Sequence, residues 1–166
     1  MKSTKCVMSA MRVFISVCIL VMLPLSSFGA TNSGVTYQAH VQSIGWQPWV
    51  QNGQTAGTTG QSLRMEAASI QLFGLPTSIG VTYRAHVEGF GWLPWVVNGA
   101  VAGTTGQSLR MEAIQIRLTG APVGCNISYS AHVENIGWLP FVTNGAIAGT
   151  TGQSRRLEAF QSFVQC

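Results

Sequence analysis

Hydrophobic and polar residues alternate along VTYRAHV, residues 81–87. Val81, Tyr83, Ala85 and Val87 point one way and Thr82, Arg84 and His86 the other, the period of a strand with one buried side. The next apolar run, GWLPWVVNG from Gly91, is aromatic and β-branched and ends on the turn dipeptide Asn98-Gly99. Pro94 lacks an N–H, which puts that run at an edge or a bulge. AGTTGQS then reads as a connection, and SLRMEAIQIRL alternates again, with Leu109, Met111 and Ala113 opposed to Arg110 and Glu112. The phase changes at Ala113-Ile114, so Ile114, Ile116 and Leu118 need a bulge to regain the same side. No stretch has a helical period.

This pattern occurs three times at a fixed spacing of 46, led by Tyr37, Tyr83 and Tyr129. His40, His86 and His132 follow, then Trp46, Trp92 and Trp138. GTTGQS begins at Gly57, Gly103 and Gly149, and Arg64-x-Glu66 recurs as Arg110-x-Glu112 and Arg156-x-Glu158. The Gly/Pro-rich linkers FGLPTSIG and TGAPVGCN set the copies at 34–79, 80–125 and 126–166. One copy has too little apolar surface to offset its chain entropy, whereas three can shield one another. The expectation is a single all-β domain over 30–166, closed with pseudo-threefold symmetry so that no edges remain. A β-prism-like packing is favoured and a β-trefoil-like one is the alternative.

The N-terminus changes the charge picture. Lys2, Lys5 and Arg12 precede the apolar run Val13 to Leu25, and small residues follow, so 1–29 reads as a secretory signal peptide cleaved after Gly29, with cleavage after Ala30 or an uncleaved anchor as the alternatives. Nine basic residues less these three leave six arginines against five glutamates, a mature charge of +1. No basic patch remains to neutralise phosphates, so neither nucleic acid nor a charged membrane surface is an expected partner, and no membrane insertion is expected after cleavage. Cleavage also leaves two cysteines, Cys125 and Cys166, which an exported chain is expected to join as a disulfide across the third copy.

The string Y-x-A-H-V-x-x-x-G-W-x-x-[WF]-V-x-N-G-x-x-A-G-T-T-G-Q-S-x-R-[ML]-E-A resembles the ChW repeat, the clostridial hydrophobic repeat with a characteristic tryptophan. The resemblance covers nearly all of the mature chain. It implies an exported bacterial protein with a non-catalytic extracellular binding or adhesion role, with polysaccharide or protein ligands.

Candidate ligand contacts are the aromatic and histidine positions: Tyr37, His40, Trp46 and Trp49; Tyr83, His86, Trp92 and Trp95; Tyr129, His132 and Trp138. An exposed indole covers the apolar face of a sugar while neighbouring polar groups take its hydroxyls. Trp46 and Trp49 are three apart, so an extended run sets them on opposite sides, one in the core and one exposed. All of these tryptophans being core is the alternative. Phe141 replaces the second tryptophan of copy three. Arg64, Glu66, Arg110, Glu112, Arg156 and Glu158 read as a structural polar network, or alternatively as ligand contacts. Three glutamates in equivalent surroundings do not form the unequal pair that glycoside hydrolysis needs. No nucleophile elbow or zinc motif is present, so the expectation is no enzyme, no metal and no cofactor. GTTGQS is not followed by G-K-[ST] and reads as a loop with φ > 0 positions and turn-capping threonine hydroxyls. Partners are thus a glycan or cell-surface polymer, or a surface protein, met outside the cell.

Overall fold

The computed structural model describes residues 33–166, so the leader and its cleavage site lie outside the described residues. Copy one folds as β1 (Gly34–Val41), β2 (Gly45–Trp46), β3 (Val50–Gln51), β4 (Ala56–Gly57) and β5 (Met65–Phe73). Copy two repeats this as β6 (Gly80–Val87), β7 (Gly91–Trp92), β8 (Val96–Val97), β9 (Ala102–Gly103) and β10 (Met111–Thr119). Copy three gives β11 (Asn126–Val133), β12 (Gly137–Trp138), β13 (Val142–Thr143), β14 (Ala148–Gly149) and β15 (Leu157–Gln165). The described residues contain no helix.

Each copy builds its sheet around an antiparallel pair, β1 with β5, β6 with β10 and β11 with β15. The aromatic run does not make one continuous strand. It breaks into two two-residue strands separated by the proline segment, both pairing the same edge of the leading strand. The free edge of β5 is covered by β9 from copy two, that of β10 by β14 from copy three, and that of β15 by β4 from copy one. Lending one short strand to a neighbour closes the three copies into a ring and leaves three separate five-stranded sheets. None is a closed barrel, which is compatible with the prism-like packing.

The inner faces meet in one core. Val35, Tyr37, Ala39 and Val41, with their counterparts in copies two and three, are buried against Met65, Ile70, Met111, Ile114, Ile116, Leu157 and Phe160. The register shift in β10 falls between Met111 and Ala113, so the extra residue is Glu112, one position ahead of the phase change read from the sequence. The bulge keeps Met111 and Ile114 both buried and turns Glu112 toward His86. Cys125 and Cys166 are bonded, joining the boundary between copies two and three to the residue after β15.

Candidate functional site

Two layers of side chains define each copy, and the inner one is structural. Tyr83 is fully buried, its hydroxyl donating to the Ala100 carbonyl of its own copy and accepting from the Ile70 N–H of copy one at 3.0 Å. Tyr37 donates to the Gln54 carbonyl and accepts from Ser162 N–H of copy three at 3.0 Å. Tyr129 donates to the Ala146 carbonyl and is held by the Ile116 backbone of copy two. The reading of Tyr37, Tyr83 and Tyr129 as ligand contacts is therefore corrected: they share the inward phase with Val and Ala and fasten one copy to the next. Burial pushes all three hydroxyls above the ordinary tyrosine range, and the backbone groups bonded to them offset part of the rise.

The first glycine and threonine of GTTGQS act at the same junctions. Thr104 N–H donates to the Glu66 carbonyl at 2.9 Å, and Thr58 and Thr150 do the same to Glu158 and Glu112. The hydroxyls of these threonines are buried without a hydrogen-bond partner, so the expected capping role is replaced by a backbone one. Gly103 pairs with Ala67 at φ +112, where a Cβ would fall 2.4 Å from the Glu66 carbonyl oxygen. Only glycine permits that approach.

The outer layer begins with a polar cluster. Glu66, Glu112 and Glu158 are each 5 % exposed. Arg64 reaches Glu66 Oε1 through Nε and Nη2 at 3.0 and 2.7 Å, and Arg110 and Arg156 grip Glu112 and Glu158 likewise. The other carboxylate oxygen lies 3.1–3.2 Å from Nδ1 of His40, His86 or His132. The ring N–H axis misses it, so this is a close contact rather than an aligned hydrogen bond. Each imidazole then meets the edge of Trp46, Trp92 or Trp138 with centroids 5.2–5.4 Å apart. Arg110 and Arg156 also pair with Glu88 and Glu134, for which copy one has Gln42. The chain of contacts carboxylate–imidazole–indole fixes the tilt of each leading tryptophan. The three histidines belong to three different sheets, and no three His, Cys, Asp or Glu gather at metal-binding spacing among the described residues.

The second tryptophan joins the first on the outer face. Trp46 and Trp49 are 38 % and 42 % exposed, so neither is core, and the assignment to opposite sides is corrected. In copy two the guanidinium of Arg84 lies 4.8 Å from the Trp92 ring and 4.7 Å from Trp95, so both indoles flank one outward residue of β6. The three-residue excursion through Pro94 resets the alternation that a continuous strand would impose. Trp138 and Phe141 are exposed in copy three.

What lies between and beside the aromatics differs from copy to copy. Gln38 and Gln71 stand where copy two has Arg84 and Arg117, and copy three has Ser130 and Phe163. Arg117 lies 4.2 Å from Trp95, and Phe141 packs on Phe163 with centroids 5.3 Å apart. These positions were missing from the candidates because the common motif hides the positions that vary. The signal was available: alternation placed Arg84 on the outward side with His86. A separate hollow, lined in part by Gly34, Leu75, Pro76 and Cys166, opens at the chain's junctions, away from the tryptophan faces.

An all-β ring of three near-identical units, each presenting a braced aromatic face, is a repeat module rather than a scaffold around a single cleft. The chain belongs to the ChW family, Clostridial hydrophobic W, which matches residues 40–74, 86–120 and 132–161, more than half of its length. No curated protein and no solved structure matches it.

Proposed function

We propose that this protein is an exported, non-catalytic binding module that takes glycans or a cell-surface polysaccharide on its tryptophan faces. The observation that carries the reading is the pair of partly exposed aromatic rings on the outer side of every sheet, with the leading indole held by histidine and glutamate. Such a ring covers the apolar C–H face of a sugar with little rotamer entropy left to lose. Three faces on one rigid body allow linked engagement along a polymer, so weak contacts add. The buried glutamates fit a non-enzymatic role, since each is clamped by its own arginine, which in copies two and three also bonds Glu88 or Glu134.

A glycan array with the described domain is the test. Trp46→Ala, Trp92→Ala and Trp138→Ala each lower binding roughly fivefold to tenfold, and combining them lowers it further while the circular dichroism spectrum stays unchanged. Full binding by the triple variant would sink the reading. A surface protein is the second partner, favoured by the turn-tip residues Ile44, Phe90 and Ile136, which are 50 %, 65 % and 48 % exposed at equivalent places. Loss of capture of a surface protein on Phe90→Ser, with glycan binding intact, would select it.

A further inference from the structure

Of the six arginines in the described residues, three are clamped onto buried glutamates, and Arg155 donates to the Glu134 carbonyl. Arg84 and Arg117, like Arg155, have no carboxylate partner among the described residues, and these two share one face. Register places Arg84 opposite Gln115 and Arg117 opposite Thr82, so the two are diagonal neighbours on the outer side of the β6–β10 pair. Arg84 Nε donates to Gln115 Oε1 at 2.7 Å, and Arg117 Nε to Thr82 Oγ1 at 3.1 Å. Their terminal nitrogens make no hydrogen bond among the described residues. Along the face the order is Trp92, Arg84, Trp95, Arg117, with each guanidinium 4.2–4.8 Å from an indole centroid.

Stacking on an indole orients a guanidinium and leaves its N–H edge free, the arrangement that grips an oxyanion through two parallel hydrogen bonds. The nearby acids do not compete, because Arg110 bonds both Glu88 and Glu112. We propose that the face of copy two is a subsite for acidic sugars, in which Arg84 and Arg117 take the carboxylate or sulfate while Trp92 and Trp95 cover the ring. Copy one, with Gln38 and Gln71 at the positions equivalent to Arg84 and Arg117, is the uncharged counterpart. Copy three, with Phe141 and Phe163, lacks a cation there. The inference rests on the glycan reading and adds charge selectivity to it.

The test measures binding of polygalacturonate, dextran sulfate and uncharged dextran to the unmodified protein and to two variants. The pair Arg84→Gln/Arg117→Gln gives copy two the side chains of copy one. It lowers affinity for the preferred acidic polymer tenfold or more and leaves dextran binding unchanged. The pair Gln38→Arg/Gln71→Arg adds a second acidic site and raises affinity or stoichiometry, which supports the inference even if the first variant folds poorly. Preference between polygalacturonate and dextran sulfate names the anion. Acidic binding that survives Arg84→Gln/Arg117→Gln, or dextran binding without either acidic polymer, overturns the inference and leaves the glycan reading standing. Binding of none of the three by the unmodified protein overturns the inference, and silence across the glycan array as well removes the glycan reading with it.

Discussion

Among single residues the tyrosines carry the most information. The chain has three, and all are buried at copy junctions, so tyrosine absorbance reports those junctions alone. Ionisation would leave an anion where the hydroxyl now donates to a carbonyl, and burial holds each pKa above the ordinary value. A group whose folded pKa is raised contributes stability that is complete below its unfolded pKa, about 10, and is lost as pH climbs through the folded value. Stability should therefore be flat with respect to these groups through neutral pH and fall above about pH 10. Tyrosinate absorbance should rise in step with loss of structure. Tyrosinate forming well before the circular dichroism changes would show accessible hydroxyls. The alternation of VTYRAHV already put tyrosine on the side of valine and alanine, so its burial was legible. Its hydrogen bond to another copy was not, because adjacency between copies is a property of closure and not of local pattern.

Short strands decide the assembly at the level of elements. The strand Ala102–Gly103 is two residues long, yet it seals the exposed edge of β5. Gly103→Ala places a methyl 2.4 Å from a backbone oxygen at φ +112 and should cost about 2–4 kcal/mol, read as a lower denaturant midpoint. Gly106→Ala, at φ +70 with nothing nearby, should cost only about 1–2 kcal/mol. Equal effects would mean that the close approach contributes nothing. The long strands, their shared period and the need for a bulge could be read from the sequence, because each follows from where apolar side chains fall. The splitting of the tryptophan run and the borrowed strand could not. A proline excursion changes which way Trp95 points, and the dipeptide Ala-Gly has no periodicity to detect.

For the whole molecule, closure makes the copies interdependent without making them alike. Equivalent core positions hold Ala68, Ile114 and Phe160, and Phe160 packs on Tyr37 across the seam between the last copy and the first. That seam joins residues 125 apart in sequence, through Ser162 and Tyr37. The disulfide tethers the chain end that forms it. Replacing both cysteines by serine should lower stability by about 3–4 kcal/mol on the loop-entropy estimate for a separation of 41 residues. Urea denaturation of the reduced and oxidised forms measures this, and coincident curves would remove the tether from the account. A chain ending at Cys125 should lose cooperative unfolding altogether, since β10 would be left with a bare edge and β4 with nothing to pair. A sharp calorimetric transition in that fragment would refute the dependence.

The loan of β4 to the final strand also sets an order of events in time. As the polypeptide emerges from the ribosome, the first copy cannot place its Ala-Gly segment until β15, the closing strand of copy three, exists. Early assembly is thus confined to an open arc with one bare rim and one idle strand, and completion waits on the most distant contacts in the molecule. The ring therefore locks only once the third copy has been made, and until then the first copy keeps a strand without its partner.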